Sequence, residues 1–210
     1  MTTSSTLHPS AKDRVRHKHA EEKARAQAAA SKARRRRILG ICALLVVVAA
    51  AVYALATSGT ATSEETRRAP NFTLPTTAGT TVTLSELRGE PVILYFNEGA
   101  GCASCTVQMA EIEKEPGFAE AGITVLPIVM NTAEQIRPDM RRYGATTPYL
   151  LDDGTVSEAY GTLGTGMHPG VPGHGFVLID AEGNQVWQGD YPSMWLAPQD
   201  LLDEAQTRLR

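Results

Sequence analysis

Hydrophobic and polar positions divide the chain into three unlike stretches. Residues 38–56 (ILGICALLVVVAAAVYALA) are nineteen consecutive positions without a charge or a proline, close to the ~20 residues a helix needs to cross a bilayer. A run that is apolar all round has no polar face to turn outward from a soluble core, so it reads as a transmembrane helix. Residues 57–69 (TSGTATSEETRRA) read as a polar linker. From Pro70 onward short apolar runs alternate with polar turns over one domain's length, 70–210. Residues 92–96 (VILYF) have the continuous strand-forming character of a central strand covered on both faces. Residues 106–115 place Val107, Ala110 and Ile112 among polar neighbours, a helical pattern, and residues 123–130 (ITVLPIVM) form a second buried strand in which Pro127 marks a break or an edge. Thr132 with Gln135 resembles a capping box that opens a helix ending near Tyr143 and Gly144. Residues 176–180 and 185–188 are strands joined across turn residues 181–184, and residues 198–209 close as an amphipathic helix with Leu201, Leu202, Ala205 and Leu209 on one side. Strand, helix, strand, helix, hairpin and helix predict an α/β three-layer domain.

Charge adds a direction to this layout. The formal net charge of −3 hides a dipole: residues 1–37 hold eleven Lys or Arg against three acids, so 11 − 3 = +8, and the remainder carries −11. Basic residues directly before the apolar run, with no matching cluster after it, place the N-terminus in the cytoplasm and the domain outside it, at the cell membrane. The arm at 1–37 has too few apolar side chains to offset the entropy of ordering, so it is expected to be disordered. Because it leads straight into an apolar helix, its expected partner is anionic membrane lipid and not nucleic acid. The competing reading is a cleaved signal peptide ending at the A-x-A-like Ala54, Leu55 and Ala56, which exports the same domain untethered.

The candidate chemistry lies where residues 92–96 run through 97–101 (NEGAG) into Cys102-Ala103-Ser104-Cys105, immediately before a helix. Two thiols at that spacing can close a disulfide, and backbone N–H groups with the helix dipole favour the N-terminal cysteine as thiolate. That sulfur is then both a nucleophile and a good leaving group. A purely structural bridge would gain little here, because so short a loop hardly constrains the unfolded chain. A structural zinc wants four ligands and no second cysteine pair exists, so neither a metal nor a cofactor is expected. The third cysteine, Cys42, lies inside the apolar run and reads as inert filler.

From residue 69 to residue 209 the chain resembles the redoxin branch of the thioredoxin superfamily, which contains the AhpC/TSA peroxiredoxins and the TlpA-like membrane-anchored thiol-disulfide oxidoreductases. The resemblance rests on APNFTLPTTAGTTVTLSELRGEPVILYF, the CASC motif, PYLLDDGTVSEAYG and FVLIDAEGNQVWQG. It implies a thioredoxin-like fold with a central mixed sheet flanked by helices, a redox-active CxxC, and a proline, usually cis, opposite the cysteines. Pro172 is the best match to that proline, with one extra residue before the following Phe.

Within that branch, CTVQ from Cys105 resembles a peroxidatic sequence, which would make Cys105 the peroxidatic thiol and Cys102 its resolver in an antioxidant enzyme. The family's P-x-x-x-T-x-x-C falls here on Glu98, Cys102 and Cys105, so its proline and threonine are replaced, and residues 143–207 hold no Arg or Lys to polarise a peroxide. The favoured reading is thiol-disulfide exchange with exported proteins carrying thiols or disulfides, Cys102 attacking and Cys105 resolving. His174, in the loop GTLGTGMHPGVPGHG, is expected to hydrogen-bond a thiolate or carry its proton, whereas His168 reads as a solvated loop residue and Glu98 and Glu111 as surface carboxylates. Two thiolates and a histidine are also a copper-binding set, and Sco-like copper-binding assembly factors share this topology. Their cysteines are spaced C-x-x-x-C, which leaves this the weakest alternative.

Overall fold

A computed structural model describes residues 46–48, 61–63 and 66–210, and the chain divides into two compact units, Met1–Thr57 and Ser58–Arg210. In the first unit Val46, Val47 and Val48 are helical and exposed. The rest of the expected transmembrane helix, the basic arm and Cys42 lie outside the described residues. Among the described residues no helix is long and apolar enough to cross a membrane.

The second unit is built on the apolar run at 92–96, strand β5 (Val92–Phe96), whose five residues are all buried. Alternation along it serves two cores. Ile93 and Tyr95 join one apolar cluster, and Val92, Leu94 and Phe96 join another on the opposite face. Burying such a side chain contributes about 1.5–3 kcal/mol, so a strand covered on both sides anchors the domain. Parallel to it runs β6 (Thr124–Val129), and antiparallel runs β8 (Gly175–Ile179). Outside these lie β7 (Leu150–Leu151) beside β6 and β9 (Asn184–Asp190) beside β8. Two short strands, β1 (Ala61–Ser63) and β2 (Arg67–Arg68), both pair with β9 and complete a seven-stranded sheet, and β3 (Thr73–Pro75) and β4 (Thr81–Thr83) form a separate hairpin.

One face of the sheet is covered by α1 (Ala103–Ile112), α2 (Gly117–Glu120), α3 (Ala133–Tyr143) and α5 (Pro198–Arg208), through residues such as Met109, Phe118, Ile136 and Leu201. The other is covered by α4 (Thr155–Ala159), the hairpin and a 3-10 turn at Leu84–Leu87, through Val156, Leu74 and Leu84. This is the three-layer α/β arrangement that the periodicity predicts.

Three local expectations change. First, residues 61–63 and 67–68 are strands and not linker: an unpaired β9 edge supplies the partner that a Thr/Ser/Arg segment cannot supply itself. Ala69 N donates to Gly183 O, and Arg68 donates to Glu182 O at 2.7 Å, so the segment is fastened to the β8–β9 turn. Second, Pro127 neither breaks β6 nor puts it at an edge. Ile128 O accepts from Asn97 N on the β5 side and Val129 O accepts from Asp152 N on the β7 side. Alternation therefore turns Pro127 toward β7, which pairs only from Ile128 onward, and the missing N–H falls on an open flank. Third, the first helix opens at Ala103, three residues before the helical pattern becomes readable, because Cys102 is its N-cap. The capping signal at Thr132 is present as expected: Gln135 Oε1 accepts from Thr132 N at 2.8 Å, and Gly144 ends α3 with a left-handed φ of 82°.

Candidate active site

The cysteine pair sits where β5 hands over to α1, and the handover is shaped by polar side chains from three places. Asn97, fully buried at the end of β5, accepts from Gly99 N at 3.1 Å and turns the chain back on itself. Asn131 accepts from Ala100 N at 2.8 Å, and Asp139 of α3 accepts from Gly101 N at 2.8 Å. Gly99 has a φ of 78°, and a Cβ there would collide with the Asn131 side chain, so glycine is required on two counts. The loop thus delivers Cys102 as the N-cap of α1 in extended conformation.

Cys102 and Cys105 are joined as a disulfide, with their Cα atoms 5.3 Å apart. Their environments differ sharply. Cys102 is half-buried beside an open cleft, and its Sγ accepts from Cys105 N at 3.3 Å and lies 3.4 Å from Ser104 Oγ. Cys105 is fully buried behind it. In the reduced pair, the Cys102 sulfur stands at the positive end of a ten-residue helix with a backbone donor already aimed at it, which favours thiolate.

Behind Cys105 lies an aromatic wall. Tyr95 stacks on Phe176 with ring centroids 4.6 Å apart, and its hydroxyl donates to Cys105 O at 3.0 Å. Burial, with a smaller contribution from Tyr149, pushes the Tyr95 phenol well above its ordinary pKa, so it stays a neutral donor. His174 is buried and has its Nδ1 3.1 Å from the same hydroxyl. With the phenol proton given to Cys105 O, the ring nitrogen facing Tyr95 donates to the phenol oxygen. Burial lowers the His174 pKa to about 4, which keeps the ring neutral at pH 7.

The candidate residues therefore meet the pair in different ways. His174 hydrogen-bonds Tyr95, and its route to the pair runs through the phenol and the Cys105 carbonyl. Pro172 is buried and forms an antiparallel bridge with Leu163, next to Val171 on the cleft wall. Its peptide bond is trans, the lower-energy form of an X-Pro bond, and not the cis form that the resemblance implies. Glu98 is no surface carboxylate: its side chain is 7% exposed, with Oε2 2.8 Å from His168 Nδ1 and Oε1 accepting from Met167 N at 3.0 Å. Glu111 is a surface residue, paired with Lys114 one turn away. His168 is exposed but tied to Glu98. Among the described residues no cluster of three or more His, Cys, Asp or Glu could hold a metal ion.

Sequence reasoning missed Tyr95, Asn97, Asn131 and Asp139. The first two had a signal, since a buried Tyr hydroxyl and an Asn at a strand end both need partners. Asn131 and Asp139 had none, because they reach the loop from 31 and 38 residues away.

A half-buried cysteine capping a helix, disulfide-linked to a buried one on a three-layer mixed sheet, defines a dithiol oxidoreductase on a thioredoxin-like fold. The AhpC/TSA family profile matches residues 66–187, more than half of the chain, and the chain belongs to that family. It is similar to a putative peroxiredoxin of Mycobacterium tuberculosis, 33% identical over 125 residues, which are 57% of this chain and 80% of that protein. It is also similar to the thiol-disulfide oxidoreductase ResA of Bacillus subtilis, 31% identical over 123 residues, 57% of this chain and 66% of that one. Among solved structures, the peroxidoxin BcpB of Mycobacterium tuberculosis superposes with a TM-score of 0.57 at 22% identity, covering 70% of this chain and 96% of that one. The chain is an oxidoreductase of thiols, disulfides or peroxides.

Proposed function

We propose that the protein is a thiol-disulfide oxidoreductase, held at the outer face of the cell membrane by residues 38–56, that exchanges disulfides with exported proteins. The observation that carries this is the asymmetry of the pair, a half-buried, helix-capping Cys102 in front of a fully buried Cys105. In the reduced enzyme the Cys102 thiolate attacks one sulfur of a substrate disulfide and expels the other as a thiolate, which takes a proton. Cys105, after losing its own proton, attacks Cys102 Sγ, closes the internal disulfide and releases the second substrate thiol. Two electrons pass from enzyme to substrate, and a donor dithiol restores the pair by the reverse steps. Tyr95 and His174 hold the Cys105 backbone in place, and Pro172 holds the cleft wall beside Val171.

The second reading is a peroxidase with Cys105 peroxidatic and Cys102 resolving, and the peroxiredoxin relatives favour it. Against it stand the burial of Cys105, the replacement of the peroxidase threonine by Cys102, and the lack of Arg or Lys from 143 to 207. Copper carriage has no further support.

Cysteine variants separate the two. Cys105→Ser is expected to trap a mixed disulfide between Cys102 and a substrate cysteine, and Cys102→Ser to abolish exchange, both read by mass spectrometry. Rapid oxidation of the Cys102→Ser variant by hydrogen peroxide, orders of magnitude faster than an ordinary thiol, would replace this reading with the peroxidase. For the tether, the full chain is expected in the membrane fraction after carbonate extraction, with the domain open to protease from outside the cell. Recovery in the soluble exported fraction would point to the cleaved leader.

A further inference from the structure

Glu98 has two features that exchange between two cysteines does not require. Its charged side chain is 7% exposed, and both its oxygens are taken by one loop, at Met167 N and His168 Nδ1. That loop, residues 162–173, is closed at its base by Gly164 N donating to Val171 O at 2.9 Å and Gly173 N to Thr162 O at 3.1 Å. Its approach to Glu98 depends on a glycine, since a Cβ on Gly166 would lie 2.7 Å from Glu98 Oε1 and 2.8 Å from Gly173 Cα. The residue four places before Cys102 thus clamps the loop whose Met167 and Val171 line the cleft of that cysteine. Met194, at a left-handed φ of 59°, lines the same cleft together with Glu98 and its partner His168, and no Lys or Arg does. Met167 is 70% exposed, an apolar side chain displayed beside a reactive sulfur.

Resting on the exchange reading above, we propose that Glu98 is a positioning and specificity residue. It holds Met167 and Val171 as one wall of the cleft, so that Cys102 receives a cysteine carried in an apolar, uncharged or basic polypeptide segment in preference to a small anionic thiol such as glutathione. The methionine thioethers supply adaptable apolar contact, and the Glu98 carboxylate opposes an anion entering the same space.

The test uses the detergent-solubilised full chain, pre-reduced, in single-turnover reactions. Its substrates are a neutral peptide with a disulfide flanked by leucines and, separately, oxidised glutathione. The wild-type second-order rate constant is expected to be about tenfold or more higher for the peptide. Glu98→Ala removes both contacts to the loop and is expected to raise the half-saturating peptide concentration about tenfold, with the limiting rate within about twofold. Glu98→Gln keeps an acceptor for Met167 N while losing the charge, so it should retain peptide affinity and narrow the gap to glutathione. His168→Ala, at an exposed side chain, covers the case in which Glu98→Ala does not fold and is expected to raise the same concentration about threefold. Equal wild-type rates for both substrates, or unchanged peptide affinity in the folded variants, overturns the proposal while exchange itself stands. A chain that reduces neither substrate yet consumes peroxide rapidly overturns the exchange reading beneath it.

Discussion

At position 174 an imidazole is 2% exposed against the Tyr95 phenol, and burial holds its pKa at about 4 instead of 6.5. The unfolded chain therefore binds more protons between those two values. The stabilising effect of a neutral His174 is complete above pH 6.5 and is lost as pH falls toward 4, by about 3 kcal/mol at most. The Asp190 carboxyl, raised by burial, works in the opposite sense and offsets part of this. Urea unfolding at pH 7 and pH 5 should show the loss, and His174→Gln should flatten it; an unchanged acid dependence in that variant would remove His174 as its source. Tyr95→Phe leaves Cys105 O and His174 without their partner and is expected to cost about 1–3 kcal/mol in the same assay. The sequence marked His174 as chemistry-bearing, but it did not carry the identity of its partner, which lies 79 residues away.

The loop from β5 to α1 is an element whose form comes from its neighbours. Its Gly99 and Gly101, with φ of 78° and 95°, are readable as a turn, and a cysteine before a helix is readable as a cap. Its fastening to Asn131 and Asp139 is not, because both contacts cross from other elements. Gly99→Ala meets both the positive φ and the Asn131 side chain, so a loss of more than about 1 kcal/mol is expected, together with slower disulfide exchange. Thermal unfolding and thiol-exchange rates check it, and a variant with wild-type values in both would show that the loop adjusts freely. By contrast, the Thr132 and Gln135 cap, the amphipathic α5 and the strand run of β5 were legible, since each is specified by side chains within one or two turns or one strand.

Across the domain, β9 would be an open seven-residue edge without the chain that precedes Ala69. Arg67 donates to Gln185 Oε1 at 3.0 Å and Arg68 reaches Glu182 O, so side chains reinforce the pairing. Deleting residues 61–68 is expected to lower the unfolding midpoint and promote association through the bared edge, which light scattering would detect. A variant that stays monomeric with an unaltered midpoint would mean that the two strands add little.

Local pattern along the chain is enough to read the α/β order, the buried strands, the cysteine pair at a helix start, and a charge asymmetry around an apolar run. Hydrophobic period and capping chemistry act over a few residues, so one chain suffices to read them. The tertiary structure alone decided which sulfur is half-buried and which is sealed, that Pro172 is trans, that Arg67 and Arg68 become strand, and that Glu98 clamps a loop some 69 residues away. Burial and long-range hydrogen bonding depend on which surfaces meet in space, and no local pattern encodes that.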